Sequence, residues 1–308
     1  MSALSENTAE EVLRHNGRSF NFARVFLNAS HGQRAARLYA FCRYIDDIAD
    51  EASDVQQAKE VLEQVRSQLA ANLPPSPRVD DFIKLAKDTN IDPALAAELI
   101  DGVASDLEIV AFGTMAELLQ YAYKVAGTVG LMMCCVLEVD DPRAMPFAID
   151  LGVAMQLTNI ARDIREDALN GRRYIPATWL AGASAADIAD PNASLKPRLQ
   201  AASQRLIELA ELYYESAYNG FGFLPRRSRF AILIAARVYR QIGVKLKRRD
   251  FATWRGRTVV SPAEKIMVAC AATTAYLTEF RLHRCSLEHD AKLHVSLQGF
   301  AGANQLVK

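Results

Sequence analysis

The residues best suited to chemistry fall in two acidic clusters far apart in the chain. Asn159-Ile-Ala-Arg162-Asp163-Ile-Arg-Glu166-Asp167 repeats polar groups at helical spacing, and Asp46-Asp47-Ile-Ala-Asp50 does so upstream. At about 100° per residue, Asn159, Arg162, Asp163, Glu166 and Asp167 share one side of a helix. Val153, Leu157, Ile160 and Ile164 occupy the other. On the upstream helix Tyr39, Arg43, Asp46 and Asp50 share a face, and Leu38, Cys42, Ile45, Ile48 and Ala49 form the apolar stripe. Aspartate is a poor helix former in the interior, so such a cluster is locally unfavourable without a compensating partner.

Aspartates at i and i+4 end about 6 Å apart on one face. A hard divalent cation such as Mg²⁺ is held by one or two carboxylates with water and substrate phosphate oxygens. Arg43 and Arg162 beside the acids could neutralise them or bind phosphate bidentately. The pattern describes a diphosphate held through metal. Each cluster alone also reads as a solvated helix face, with pairs such as Arg162 and Glu166. A di-iron bundle needs Glu-x-x-His, which is absent from the chain. A glycosidase needs two carboxylates but gives no reason for Asn159 and Arg162 beside them.

The elements that must position these residues are helices. Apolar residues recur at steps of three and four, and alternating β-branched runs are nearly absent, so the chain reads as all-α. Breaks are expected at 71–79, 140–142, 170–171 and 181–197. Asp92-Pro93 starts a helix that can run through Glu108, and another starts near Met115. Ala126, Gly127 and Gly130 permit a close approach of a helix or a ligand, with packing the better reason.

Basic and acidic residues balance at 36 each, so no global field favours nucleic acid. Cations crowd 226–257, where Lys245, Lys247, Arg248 and Arg249 read as a solvated face that could touch an anionic membrane. The N-terminus lacks a secretory pattern and Val125–Val139 is too short to span, so a cytoplasmic protein is expected, with peripheral contact at the inner face of the membrane left open. Five cysteines without metal spacing read as reduced, buried thiols.

Gly17-Arg-Ser19-Phe20, Leu38 to Arg43, Asp46 to Asp50, Tyr121 to Gly130, Ala154 to Asp167 and Gly171-Arg172-Arg-Tyr174-Ile-Pro176, in this order, resemble the squalene and phytoene synthase family. The resemblance implies one isoprenoid synthase domain over 1–308, with a core of about 8–285; the tail of about 289–308 is polar enough to be a loose end. It implies a helical bundle around a deep central cavity, with Mg²⁺, or Mn²⁺ in its place, between the motifs. By matching position, Asp46, Asp50, Asp163 and Asp167 become metal ligands supported by Asn159 and Glu166. Ser19, Arg43, Asn159, Arg162, Arg172 and Tyr174 become diphosphate contacts, Arg172 and Tyr174 on a loop over the mouth. Tyr121 falls near the reacting carbons; Phe20, Phe22 and Phe26 are left to the core.

The implied reaction is head-to-head condensation of two isoprenoid diphosphates through a cyclopropylcarbinyl diphosphate. Met132-Met-Cys and Ala154 to Asp163 look most like the bacterial carotenoid branch, which joins geranylgeranyl diphosphates to phytoene without NADPH. Squalene, presqualene diphosphate or dehydrosqualene synthesis from farnesyl diphosphate is the rival. A non-catalytic assembly protein of the family should have lost acids, and all four outer aspartates are present. Oligomeric state is left open.

Overall fold

The computed structural model describes residues 9, 11–13, 18–285 and 288–303. Its main helices are α1 (Arg18–Arg24), α2 (Ala29–Asp50), α3 (Val55–Leu69), α4 (Pro77–Thr89), α5 (Pro93–Ala104), α6 (Met115–Ala122), α7 (Thr128–Val136), α8 (Met145–Leu169), α9 (Ala185–Ala189), α10 (Lys196–Asn219), α11 (Arg226–Arg248) and α12 (Pro262–Thr278). Among the described residues there is no strand, only an isolated parallel bridge between Ala111 and Arg173. The all-α expectation holds.

Local chemistry sets the ends that matter. Asp92 caps α5 by accepting from the Ala94 amide at 2.9 Å, and Thr114 and Glu117 form a reciprocal cap on α6. α5 stops at Ala104 rather than running through Glu108. Ser105 Oγ donates to the Gly102 carbonyl at 2.6 Å, competing with the helical ladder, and the chain tightens into a 3₁₀ turn over Ser105–Leu107. The segment 181–197, expected as loop, contains α9. Ser184 and Asp187 cap it reciprocally and Ile188 anchors it in the core.

α8 is the central helix, packed against α10, α11, α7 and the turn before α7. Its stripe Val153, Leu157, Ile160 and Ile164 is buried, as the periodicity requires. A Cβ on Gly130 would lie 2.3 Å from the Ala148 carbonyl oxygen, and one on Gly152 would lie 2.2 Å from that of Ala126. Backbone meets backbone there, so close packing explains the small residues.

Between α6 and α7 the chain makes a π-helical turn over Tyr123–Gly127. One wide turn shifts the phase of the following helix. Tyr121, Val125 and Val129, from before, within and after this turn, line the cavities described below.

The C-terminal segment departs from the loose end expected of it. Ala291–Leu297 forms a 3₁₀ helix that docks on the bundle. His289 and His294 each place Nε2 2.9 Å from a different oxygen of Asp150, a fully buried carboxylate on α8. Tyr213 donates to the Leu293 carbonyl at 2.8 Å and Tyr123 to that of Ala301. Burial alone would raise the Asp150 carboxyl; the two histidines hold it below the usual range. A second correction concerns the thiols: Cys134 is buried, while Cys270 and Cys285 are exposed.

Candidate active site

α2 and α8 bring their acidic faces to one polar pocket. Asp46 and Asp50 line it from α2, and Gln156, Asn159, Asp163 and Asp167 from α8. Asp106, Tyr121, Arg172 and Tyr174 complete its polar wall. The loop carrying Arg172 and Tyr174 is pinned: Arg173 N donates to the Val110 carbonyl at 2.9 Å and Ala177 N to that of Phe112 at 2.8 Å. Arg172 then reaches Asp50 with an Nη1–Oδ1 distance of 2.9 Å, tying the end of α2 to the segment after α8.

Asp106 is a site residue that the sequence reading missed. Tyr121 and Tyr174 each donate a hydroxyl to one of its oxygens at 2.8 Å, and their rings stack with centroids 4.9 Å apart. Its only sequence signal is a lone acid just after an amphipathic helix. Arg257 is the second omission. Its guanidinium donates to both oxygens of Asp163, at 2.8 and 3.2 Å, from the loop before α12. Arg162 binds the same carboxylate through Nε at 2.8 Å and through Nη2. Asp163 is therefore held by two arginines.

The remaining expected residues divide. Arg43 bridges Asp47 at 2.5 Å, and neither Arg43, Arg162 nor Glu166 lines the pocket. Ser19 lies within α1, but its side chain is outside the described residues. Tyr174 lines the pocket with its hydroxyl committed to Asp106.

The donor set suits a hard cation. Every nearby ligand atom is oxygen, and the buried Asn159 Oδ1 and Glu166 Oε2 have no hydrogen-bond partner among the described residues. Burial, and after it the charge of Asp50, pushes the Asp46 carboxyl up to about 7. Burial, then Asp163, pushes Asp167 up to about 8. Burial lifts Asp106 to about 6 although both tyrosine hydroxyls oppose it. An excess of buried carboxylate calls for positive charge. The only group of three His, Cys, Asp or Glu ligands within 4.8 Å among the described residues is Asp150, His289 and His294, and it lines neither pocket. The pocket acids thus stand too far apart to close a coordination shell alone; water or phosphate oxygens would complete it.

A larger apolar cavity continues from this pocket, with about 1200 Å³ of empty space including its open mouth. Asp46, Val125, Gln156 and Asn159 line both spaces. The apolar walls come from Cys42, Val129, Met133, Leu151, Met155 and Ile232, with Phe147, Phe221 and Leu224 among others. Phe20, assigned to the core from sequence, lines this cavity, whereas Phe22 and Phe26 pack against the second apolar cluster. A charged head can sit among the acids while an apolar tail lies along the cavity.

The profile of squalene/phytoene synthases matches residues 13–264. The chain belongs to the squalene/phytoene synthase family. Within the family it is 37% identical over 274 residues to the 15-cis-phytoene synthase of Enterobacter agglomerans, covering 85% of this chain and 92% of the relative. It is 35% identical over 286 residues to that of Pantoea ananas, covering 88% and 92%. A crystal structure of a dehydrosqualene synthase in complex with ligand superposes with a TM-score of 0.78 at 27% identity, over 88% of this chain and 95% of the other. The squalene synthase HpnC from Alicyclobacillus acidocaldarius, at 21% identity and a TM-score of 0.69 over 80% and 96%, shares the fold of this family member.

Proposed function

We propose that this protein is a prenyltransferase of carotenoid biosynthesis that joins two geranylgeranyl diphosphates head to head into phytoene. The observation that carries this reading is the joining of the acid-lined pocket to the apolar cavity through Asp46, Val125, Gln156 and Asn159. The relatives named phytoene synthase at 35–37% identity support the choice within the family. The docked segment 289–303 supports one domain over 1–308.

Asp46, Asp50, Asn159, Asp163, Glu166 and Asp167 would hold Mg²⁺, with Mn²⁺ as a substitute. When bound, the cation supplies positive charge against the diphosphate that departs. Arg43, Arg162, Arg172 and Arg257 add guanidinium donors for phosphate oxygens, with Ser19 and Tyr174 at the same end. Arg162 and Arg257, both bound to Asp163, are placed to donate to a diphosphate held beside that carboxylate. The apolar walls orient both tails and keep water from the carbocation.

Ionisation of one diphosphate lets the allylic cation alkylate the double bond of the second substrate. One proton leaves, giving the cyclopropylcarbinyl diphosphate. A second ionisation and rearrangement, with loss of another proton, yields phytoene and two free diphosphates; no hydride is consumed. Tyr121 and Asp106 line the acid-lined pocket together with Val125 and Gln156, and Asp106, held by two hydroxyls, is our candidate for taking one of these protons.

Purified protein with Mg²⁺ and geranylgeranyl diphosphate should give phytoene without NADPH, identified by chromatography and mass spectrometry. Squalene from farnesyl diphosphate, formed only with NADPH, would replace this reading with the squalene-type one, and dehydrosqualene without NADPH would point to the shorter substrate.

A further inference from the structure

α12 is built inside out. Its inward face carries small residues, Ala272 and Ala275, with Val268, Ala269 and Tyr276 half-buried against the second apolar cluster. Its outward face carries Ile266, Met267, Cys270 and Leu277, and Phe280 follows just beyond the helix. Ile266 is 58% exposed, Met267 63%, Leu277 77% and Phe280 81%. From Ile266 to Thr278 there is no charged residue, a run about 20 Å long at 1.5 Å per residue. A soluble helix ordinarily turns such side chains inward.

The threonines on this face are masked as well. Thr273 Oγ1 donates to the Ala269 carbonyl at 2.9 Å, Thr274 to that of Cys270 at 3.4 Å, and Thr278 to that of Thr274 at 2.9 Å. Hydroxyls satisfied by the preceding turn leave methyl groups to face outward. The surface is consequently more apolar than its composition implies.

Glu264 and Glu279 stand at the ends of the face, each paired with a cation of α11, Lys245 and Arg237, and further cations lie beyond them. α11 runs antiparallel beneath α12: Tyr276 donates to the Arg226 carbonyl at 3.0 Å, and Lys245 at the other end reaches Glu264 at 2.7 Å. α11 contains eight basic residues and no acidic one. Arg229, Arg237, Arg240 and Lys245 are engaged within the fold. Arg226 and Arg227 are exposed at one end of the pair, Lys247 and Arg248 at the other. The same helix presents Ile232, Ala235 and Tyr239 to the apolar cavity, so α11 lies between that cavity and α12.

We propose that the outward face of α12 is a membrane-docking surface, laid in the plane of an anionic bilayer with Ile266, Met267, Leu277 and Phe280 in the acyl boundary and the terminal cations of α11 at the headgroups. Apolar anchors flanked by basic residues are the chemistry that binds such an interface. A second copy of the chain would bring the same cations against themselves, which disfavours it as the occupant. The choice of lipid draws support from the proposed isoprenoid substrates and hydrocarbon product, but vesicle binding is measured without turnover, so failure of one reading is distinguishable from failure of the other.

The test uses the full chain with large unilamellar vesicles of phosphatidylethanolamine and phosphatidylglycerol. The wild type should float with the vesicles, and Ile266→Asp with Leu277→Asp should lower the bound fraction at least about tenfold, with an unchanged melting curve. Removing phosphatidylglycerol or raising salt should weaken binding. In a Cys285→Ser background, an environment-sensitive fluorophore on the exposed Cys270 should shift to the blue on adding vesicles. Failure of the wild type to bind vesicles, binding unchanged in the double variant, or a wild-type dimer that the variant splits without any vesicle binding would each overturn the proposal.

Discussion

Asp163 accepts from Arg162 and Arg257 together, so one carboxylate gathers the positive charge that a diphosphate would otherwise take. Replacing Arg257 by Gln should raise the KM for geranylgeranyl diphosphate about tenfold, the loss of one charge-assisted contact, with the melting curve unchanged. Steady-state kinetics with thermal melts check it; a lower melting temperature with unaltered KM would make Arg257 structural. Asp46 and Asp167 are lifted to about 7 and about 8 by burial and by neighbouring acids. The folded, metal-free protein therefore binds more protons than the unfolded chain between the ordinary carboxylate range and those values. Its stability should fall as pH rises through that window, because the unfolded state binds fewer protons there. Mg²⁺ must displace those protons, so its binding should tighten over the same window, with proton release measurable by titration calorimetry in buffers of different ionisation enthalpy. Affinity that is flat with pH would contradict the assignment. Asp46, Asp50, Asp163 and Asp167 were legible because i,i+4 spacing fixes a shared helix face before any tertiary structure is known. Asp106 and Arg257 were not, because each is a single residue placed by a turn or loop whose direction depends on distant packing.

At the scale of elements, the carboxylates are positioned by helices that approach to backbone contact. Gly130→Ala would drive a methyl to within 2.3 Å of the Ala148 carbonyl oxygen, and overpacking of this kind costs about 1–3 kcal/mol. Denaturant unfolding should show that loss, and turnover should fall because α7 and α8 both wall the cavity. Unchanged stability would mean that the helices separate freely there. The sequence carried the small-residue signal and the cap of α5, but for α6 it carried only a start near Met115 and not the Thr114–Glu117 cap. It did not carry the π turn over Tyr123–Gly127, since periodicity continues on either side and only the phase changes. Nor did it carry the early end of α5, where one serine hydroxyl competes with the helix. The 3₁₀ turn that follows that early end carries Asp106, which accepts from Tyr121.

Across the whole molecule, non-local contacts were the least legible. The segment 289–303 is polar in composition, yet it contributes the two histidines that satisfy the buried Asp150. His294→Ala should cost about 1–3 kcal/mol by leaving one oxygen of that carboxylate unpaired, and a chain ending at Cys285 should lose more. Urea unfolding distinguishes this from a loose tail, for which both variants would match the wild type. In the proposed mechanism, acids from α2 and α8 act as a single diphosphate clamp above one apolar cavity. The direct measurement is release of inorganic diphosphate from geranylgeranyl diphosphate at saturating Mg²⁺ by wild type, Asp50→Asn, Asp163→Asn and the double variant, each with its helical circular dichroism checked. Groups that act as a unit are non-additive, so each single variant should lose at least about a hundredfold in rate and the double should be little worse than either. Either single variant turning over at the wild-type rate, or losses that multiply in the double variant, would contradict a shared clamp.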